Sequence, residues 1–168
     1  MSAYTEDTRE TVLVRLMQQY GDGVKRMCFV YLRDMSLAED AAQDTFIRAF
    51  EHADELLAGE ISHEKAWLMR IAINQCKDVL RSAWMRHTDR RQAIEELPLA
   101  AMPAHEDSLA LTQAVMRLPA KYKDIVLLHY YQDLNLRACA QALGISPPTA
   151  TRRLKQAQKK LRLDMERG

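Results

Sequence analysis

The segment Leu136–Leu161 constrains this chain more than any other. Ala138, Ala140 and Ala142 sit in a short apolar-periodic run that stops at Gly144. Ser146-Pro147 follows, and then a cationic stretch carrying Arg152, Arg153, Lys155, Lys159 and Lys160. Glycine ends a helix because it takes the left-handed conformation without a Cβ clash, serine accepts amide hydrogen bonds at the next N-cap, and proline fits the first helical position. Small residues, turn glycine, cap and basic helix in that order describe a helix-turn-helix, whose second helix lies in the DNA major groove. On that helix Pro148, Thr149, Thr151, Arg152, Lys155 and Gln156 should face outward, and Ala150 and Leu154 inward. Arg152 or Gln156 has the bidentate geometry to read guanine or adenine edges. Arg153, Lys159 and Lys160 suit phosphates, which position a protein without specifying sequence.

The rest of the chain reads as helical too. Only five glycines and five prolines interrupt 168 residues that are 48% hydrophobic. The spacing predicts helices over roughly Thr8–Tyr20 and Val24–Arg33, separated by a Gly21-Asp22-Gly23 turn. A third should run over Leu37–Leu56, opened by a Ser36/Glu39 capping box. A loop over Leu57–Lys65 should precede a long helix over Ala66–Met85, with Leu68, Ile71, Ala72, Val79 and Ala83 toward the core. Arg70, Asn74, Lys77, Asp78 and Arg81 share its opposite face. Between His87 and Asp107 the period fails and Pro98 and Pro103 appear, as in a linker. Helices over Leu109–Leu118, Tyr122–Tyr131 and Leu136–Leu143 then lead to the basic helix, Pro147 to about Met165. The fold class is all-α: two small helical domains (residues 1–86 and 108–168) joined by a flexible linker (residues 87–107).

Charge is segregated along the chain, although the net value is only +1. Asp34–Glu64 holds nine acids and one base, Arg48. Lys65–Arg91 holds seven bases and two acids, and Leu111–Gly168 eleven bases and four acids. Basic stretches suit nucleic acid, whereas the acidic stretch between Asp34 and Glu64 suits a protein partner. No apolar run is long enough to span a membrane, and the acidic, polar MSAYTEDTRE is unlike a signal peptide. Cys28, Cys76 and Cys139 are too dispersed for a disulfide framework or a CxxC metal site, so a reducing cytoplasm is expected, and no cofactor or metal. No GxGxxG, P-loop or HExxH occurs, since His63-Glu64 lacks a second histidine, which argues against an enzyme.

Four blocks now matter together: AEDAAQDTFIRAF, WLMRIAINQCKDVLR, LPAKYKDIVLLHYY and ALGISPPTATRRL. In this order they resemble the extracytoplasmic-function (ECF) sigma factors, small subunits that bring bacterial RNA polymerase to promoters. The resemblance spans roughly Thr8 to Leu163 and implies sigma domains two and four, partnered by core polymerase and by duplex and melted promoter DNA. It implies that Glu39, Asp40, Gln43 and Asp44 dock on the clamp helices of the largest core subunit. It assigns the −10 element to Ser62, His63, Trp67, Arg70, Asn74, Lys77, Asp78 and Arg81, with the loop Ala58–Ala66 capturing a flipped base. The −35 element falls to Pro148, Thr149, Thr151, Arg152, Arg153, Lys155, Gln156 and Lys159. Anti-sigma partners commonly clamp the two domains in this family, but nothing in the sequence encodes one. The chain departs from the usual pattern at Asn135, where many relatives have serine, in Arg137, Cys139 and Ala140, where they have E-I-A, and at Arg152, where a small hydroxyl residue is usual. A stand-alone helix-turn-helix regulator would explain the basic helix but neither the acidic block nor the Trp67 block. A pure helical interaction module would need no DNA.

Overall fold

A computed structural model describes residues 8–85 and 108–167, and all regular structure among them is helical. The segment read as a linker, 87–107, lies outside the described residues.

Helix α1 spans Arg9–Leu32 and is opened by a reciprocal Thr8/Thr11 cap. It runs straight through Gly21-Asp22-Gly23, where the sequence predicts a turn. Two glycines cost a helix about 1 kcal/mol each. Leu16, Val24 and Met27, all at most 1% exposed, flank them, and each such burial contributes ~1.5–3 kcal/mol. Packing therefore outweighs propensity. The helix ends at Arg33 in the left-handed conformation (φ 60°), and Asp34 caps α2, Met35–Glu51, accepting from the Leu37 amide at 2.9 Å. The expected Ser36/Glu39 capping box does not form: a carboxylate two residues earlier takes the cap, and Ser36 lies inside the first turn. Helix α2 stops at His52, and a short α3, Ala53–Leu57, follows.

Helix α4, Glu64–Met85, starts two residues earlier than the periodicity predicts, because His63 serves as its cap: Nδ1 accepts from the Ala66 amide at 3.2 Å. Leu68, Met69, Ala72, Ile73 and Cys76 are its buried face, while Ile71 and Val79 are half-buried. Helices α1, α2 and α4 pack together around Leu16, Phe46 and Leu68. Glu64 ties two of them, accepting from Arg15 at 2.9 Å and from the Tyr20 hydroxyl at 3.0 Å.

Helix α5, Ser108–Arg117, and α6, Ala120–Val126, open the second unit. What reads as one helix to Tyr131 changes hand-hold at Leu127: residues Leu127–Tyr131 form a π turn, closed by Gln132 N–H donating to the Leu127 carbonyl. Asn135 caps α7, Leu136–Leu143, accepting from the Ala138 amide at 2.8 Å, so the departure from serine keeps the cap. Gly144 (φ 65°) ends α7, with the Ile145 amide returning to the Ala140 carbonyl. Helix α8, Pro147–Arg167, begins on Ser146, whose hydroxyl accepts from the Thr149 amide at 3.3 Å. Ala150, Leu154, Ala157 and Leu161 seat it on α5, α6 and α7.

Candidate polymerase and nucleic-acid interfaces

The acidic face is built by α2. Ala38, Ala41, Ala42, Thr45 and Ala49 turn inward, so Glu39, Asp40, Gln43 and Asp44 are all exposed on the other side. Beside them α1 and α2 form an apolar groove lined by Leu13, Met17, Glu39, Gln43, Phe46 and Ile47. Met17 and Ile47 are 50% and 55% exposed, which is unusual for side chains of this size. Sequence reasoning missed both. Their signal was present, since each breaks the inward period of its own helix.

The basic face of α4 is partly free and partly engaged. Arg70, Asn74, Asp78 and Arg81 are exposed, and Asp78 and Arg81 pair with each other at 2.5 Å. Lys77 is not open in the same way: its Nζ lies 2.9 Å from Asp124 of α6. Ser62 is exposed, yet its hydroxyl accepts from Gln141 of α7 at 2.8 Å. The His63 Nδ1 is committed to its cap, leaving Nε2 as that ring's outward atom. Trp67 is half-buried, one side on the core and the other in a small cleft with Ile61, Ser62, Arg70, Gln141 and Ala142. The cleft thus joins the loop before α4 to the helix before the recognition helix.

On α8 the outward residues fall where the helical period puts them. Pro148, Arg152, Lys155, Gln156 and Lys159 are exposed; Thr149, Thr151 and Arg153 are half-buried. Gln156 Oε1 accepts from the Tyr122 hydroxyl at 3.2 Å, which leaves its amide N–H2 for another acceptor. Lys121 and Lys160 sit over the Tyr122 ring at 5.0 and 5.4 Å, so one aromatic anchors two cations beside the helix. The helix therefore offers a cationic strip on a fixed base, with Arg152 unobstructed.

The two units also meet each other away from these faces. Arg33 donates to the Met116 carbonyl, and Gln132 Nε2 donates to the Gly23 carbonyl at 2.9 Å. Gly23 has no side chain to hold Gln132 off; a Cβ there would stand 3.1 Å from Gln132 Oε1. Lys123 is buried over the Tyr31 ring at 5.1 Å, and burial, with Arg33 adding to it, pushes its pKa down to about 8. Burial, then the charge of Asp124, raises the Tyr31 phenol. Neither the Tyr31 hydroxyl nor Asp124 Oδ1 has a well-directed partner. Cys28 and Cys76 are fully buried free thiols, and the Cys76 thiol is raised first by its hydrogen bond with Cys28 and then by burial. Among the described residues no cluster of three or more histidine, cysteine or acidic side chains suits a metal, and no helix is long and apolar enough to cross a membrane.

A basic helix behind a glycine turn and an exposed acidic helix, on two helical units, suit a protein that meets both nucleic acid and a protein partner. Sequence comparison then places it. Sigma-70 region 2 matches residues 16–86, and Sigma-70 region 4 matches residues 108–161. The ECF RNA polymerase sigma factor SigL of Mycobacterium tuberculosis is 31% identical over 137 residues, covering 79% of this chain and 77% of that protein. SigM of Bacillus subtilis is 29% identical over 157 residues, covering 91% and 94%. The chain belongs to the ECF RNA polymerase sigma factors. It therefore directs RNA polymerase to promoter DNA in transcription initiation, as the four sequence blocks implied. Solved structures share the fold. Sigma factor RpoE in complex with the anti-sigma factor NepR from Bartonella quintana superposes with a TM-score of 0.72 at 19% identity, over 91% of this chain and 96% of that one. CnrH in complex with the cytosolic domain of CnrY gives 0.68 at 19% identity, over 94% and 89%.

Proposed function

We propose a division of labour within this sigma factor. Residues 1–86 hold core polymerase and the −10 element, residues 87–107 connect, and residues 108–168 hold the −35 element. Glu39, Asp40, Gln43 and Asp44 form the polar half of the core-docking face, and the groove with Met17 and Ile47 its apolar half. The single observation that carries this is the pairing of exposed acids with exposed large apolar side chains on one side of α1 and α2. Desolvated apolar contact gives such an interface its strength, and the acids select a cationic partner.

Ser62, His63 and Trp67 line the approach to α4, where an unstacked base would lie, while Arg70, Asn74, Lys77, Asp78 and Arg81 track the strand. Each stacked base contributes ~1–3 kcal/mol, against a few kcal/mol to unstack and flip it. Melting then needs several captured bases and no chemical step, so the chain has no catalytic site of its own. On α8, Arg152 and the Gln156 amide read base edges. Pro148, Thr149 and Thr151 fit the groove wall, and Arg153, Lys155 and Lys159 neutralise phosphates. A coil of the linker's length reaches ~25–28 Å, whereas one turn of B-DNA spans ~34 Å, so the polymerase must hold the domains apart. The chain works in the cytoplasm, with its polymerase, and an anti-sigma factor is a further partner, a reading supported by the complex of RpoE with the anti-sigma factor NepR.

Run-off transcription with core polymerase on a randomised promoter library tests the reading. Asp40→Lys with Asp44→Lys should abolish capture of core polymerase in a pull-down and suppress all transcripts together. Retained capture removes α2 from the docking face.

A further inference from the structure

We propose that Tyr122, on α6, is a positioning residue for promoter reading: its hydroxyl holds the Gln156 amide so that α8 offers donors alone, and Gln156 selects guanine in the −35 element rather than adenine. This rests on the assignment of Gln156 to base reading above and names the base it reads.

A free glutamine side chain suits adenine. Its carbonyl accepts from the adenine N6 amino group while its own amide donates to N7. That pairing needs both ends of the amide directed at the base. Here one end is held elsewhere, because Gln156 Oε1 accepts from the Tyr122 hydroxyl at 3.2 Å. Tyr122 is 8% exposed and set in α6, so the oxygen is tethered to the protein and the nitrogen is the end left for DNA. The oxygen keeps a second lone pair. Using it would require the amide to lie edge-on to a base without leaving Tyr122, and the two demands compete.

Two cations fix the sense of this bond. Lys121 and Lys160 place their Nζ atoms 5.0 and 5.4 Å from the centre of the Tyr122 ring. A cation over a phenol draws electron density out of the ring and its oxygen, so the hydroxyl donates better and accepts worse. The oxygen of Gln156, not its nitrogen, is therefore the end that the tyrosine holds.

The rest of the face agrees. Of the exposed candidate contacts Pro148, Arg152, Lys155, Gln156 and Lys159, only Gln156 carries a side-chain acceptor. Arg152 lies one helical turn before it, on the same side. With the Gln156 carbonyl taken, this surface presents N–H groups and nothing to receive one. Guanine shows two acceptors in the major groove, N7 and O6, whereas adenine and cytosine each show an amino donor there. A donor-only surface matches guanine and leaves the amino group of adenine or cytosine unpaired, which is costly once water is excluded.

The test uses the full chain with core polymerase, in run-off transcription from −35 libraries. Gln156→Ala identifies the position: transcript yield should lose its base preference at one place in the element. At that place wild type should favour guanine over adenine by roughly three- to tenfold, the worth of about one hydrogen bond. Tyr122→Phe keeps the ring under both lysines and removes only the hydroxyl. It should free the Gln156 carbonyl and move the preference at that position toward adenine by a similar factor, leaving the other positions unchanged. In a Gln156→Ala background it should have no further effect on base preference, a dependence that a merely structural tyrosine would not show. Wild type favouring a base other than guanine there overturns the proposal, and that measurement needs no tyrosine variant to fold. A Tyr122→Phe chain that is folded by circular dichroism and keeps the wild-type profile overturns it too, as does one that still shifts preference when Gln156 is alanine. Gln156→Ala that alters no position rejects the base-reading role of Gln156 itself, and the inference with it.

Discussion

Arg152 brings a planar bidentate donor to an exposed position in the first turns of α8, and no hydrogen bond or ion pair holds it among the described residues. Its place in the helix is legible from the sequence, because Ala150 and Leu154 on either side must be buried for α8 to seat at all. Arg152→Ala should relax preference at one position of the −35 element by about 1–3 kcal/mol, read as a narrowed spread of transcript yield across a −35 library. Uniform loss over all sequences makes it a phosphate contact instead. Glu64 shows the opposite situation, a residue whose role no motif revealed. The Arg15 guanidinium first, and the Tyr20 hydroxyl with it, hold its carboxyl below the usual 4.5, with burial opposing them. A depressed carboxyl pKa stabilises the fold above the unfolded value, and that contribution disappears as pH falls through the folded value. Thermal unfolding of wild type should thus lose stability below about pH 4.5 more steeply than Glu64→Gln does. Parallel curves would deny the bond any role.

At the scale of elements, most helices follow from spacing, and each departure has its own cause. The Gly21-Asp22-Gly23 turn and the Ser36/Glu39 cap are sound local readings that lost to packing and to a better-placed carboxylate. The π turn at Leu127–Tyr131 has no sequence mark; it arises because Leu127 and Leu128 both stay fully buried while His129 turns its Nδ1 to the Leu134 carbonyl at 2.8 Å. The turn between α7 and α8 was legible, since only glycine takes φ 65° freely. Gly144→Ala should meet no new clash, the nearest atom being Arg70 Nη2 at 3.9 Å. It should still cost about 1–2 kcal/mol through left-handed strain. A fall in melting temperature of a few degrees in the full chain, with −35 affinity reduced in step, is the expected result. Unchanged melting would mean that the turn relaxes into another conformation.

For the whole molecule, the arrangement of the two domains decides which cations stay unpaired. The outward arginine and lysines of α8 (Arg152, Lys155 and Lys159) are exposed, while Lys77 pairs with Asp124 of the other domain. Free wild type should therefore bind duplex promoter DNA through α8 alone. About three phosphate contacts, through Arg153, Lys155 and Lys159, give a log–log salt slope of roughly −3. With core polymerase present the slope should become more negative, as the face of α4 is freed to contribute. Titrating salt against fluorescence anisotropy, with and without polymerase, measures both values. Equal slopes would mean that the second face adds no ionic contact.

Helical class, the two-domain division, the recognition helix and the acidic helix were all carried by local chemistry: period, caps, turn glycine and runs of like charge. These are properties of neighbours in the chain, so reading along it recovers them. What joins Asp124 to Lys77, Gln132 to Gly23 or Gln141 to Ser62 is contact across 47, 109 and 79 positions of chain. No periodicity encodes such pairs, because each partner looks like an ordinary polar residue of its own helix. Only the packing of one domain on the other buries the carboxylate of Asp124 and brings it to Lys77.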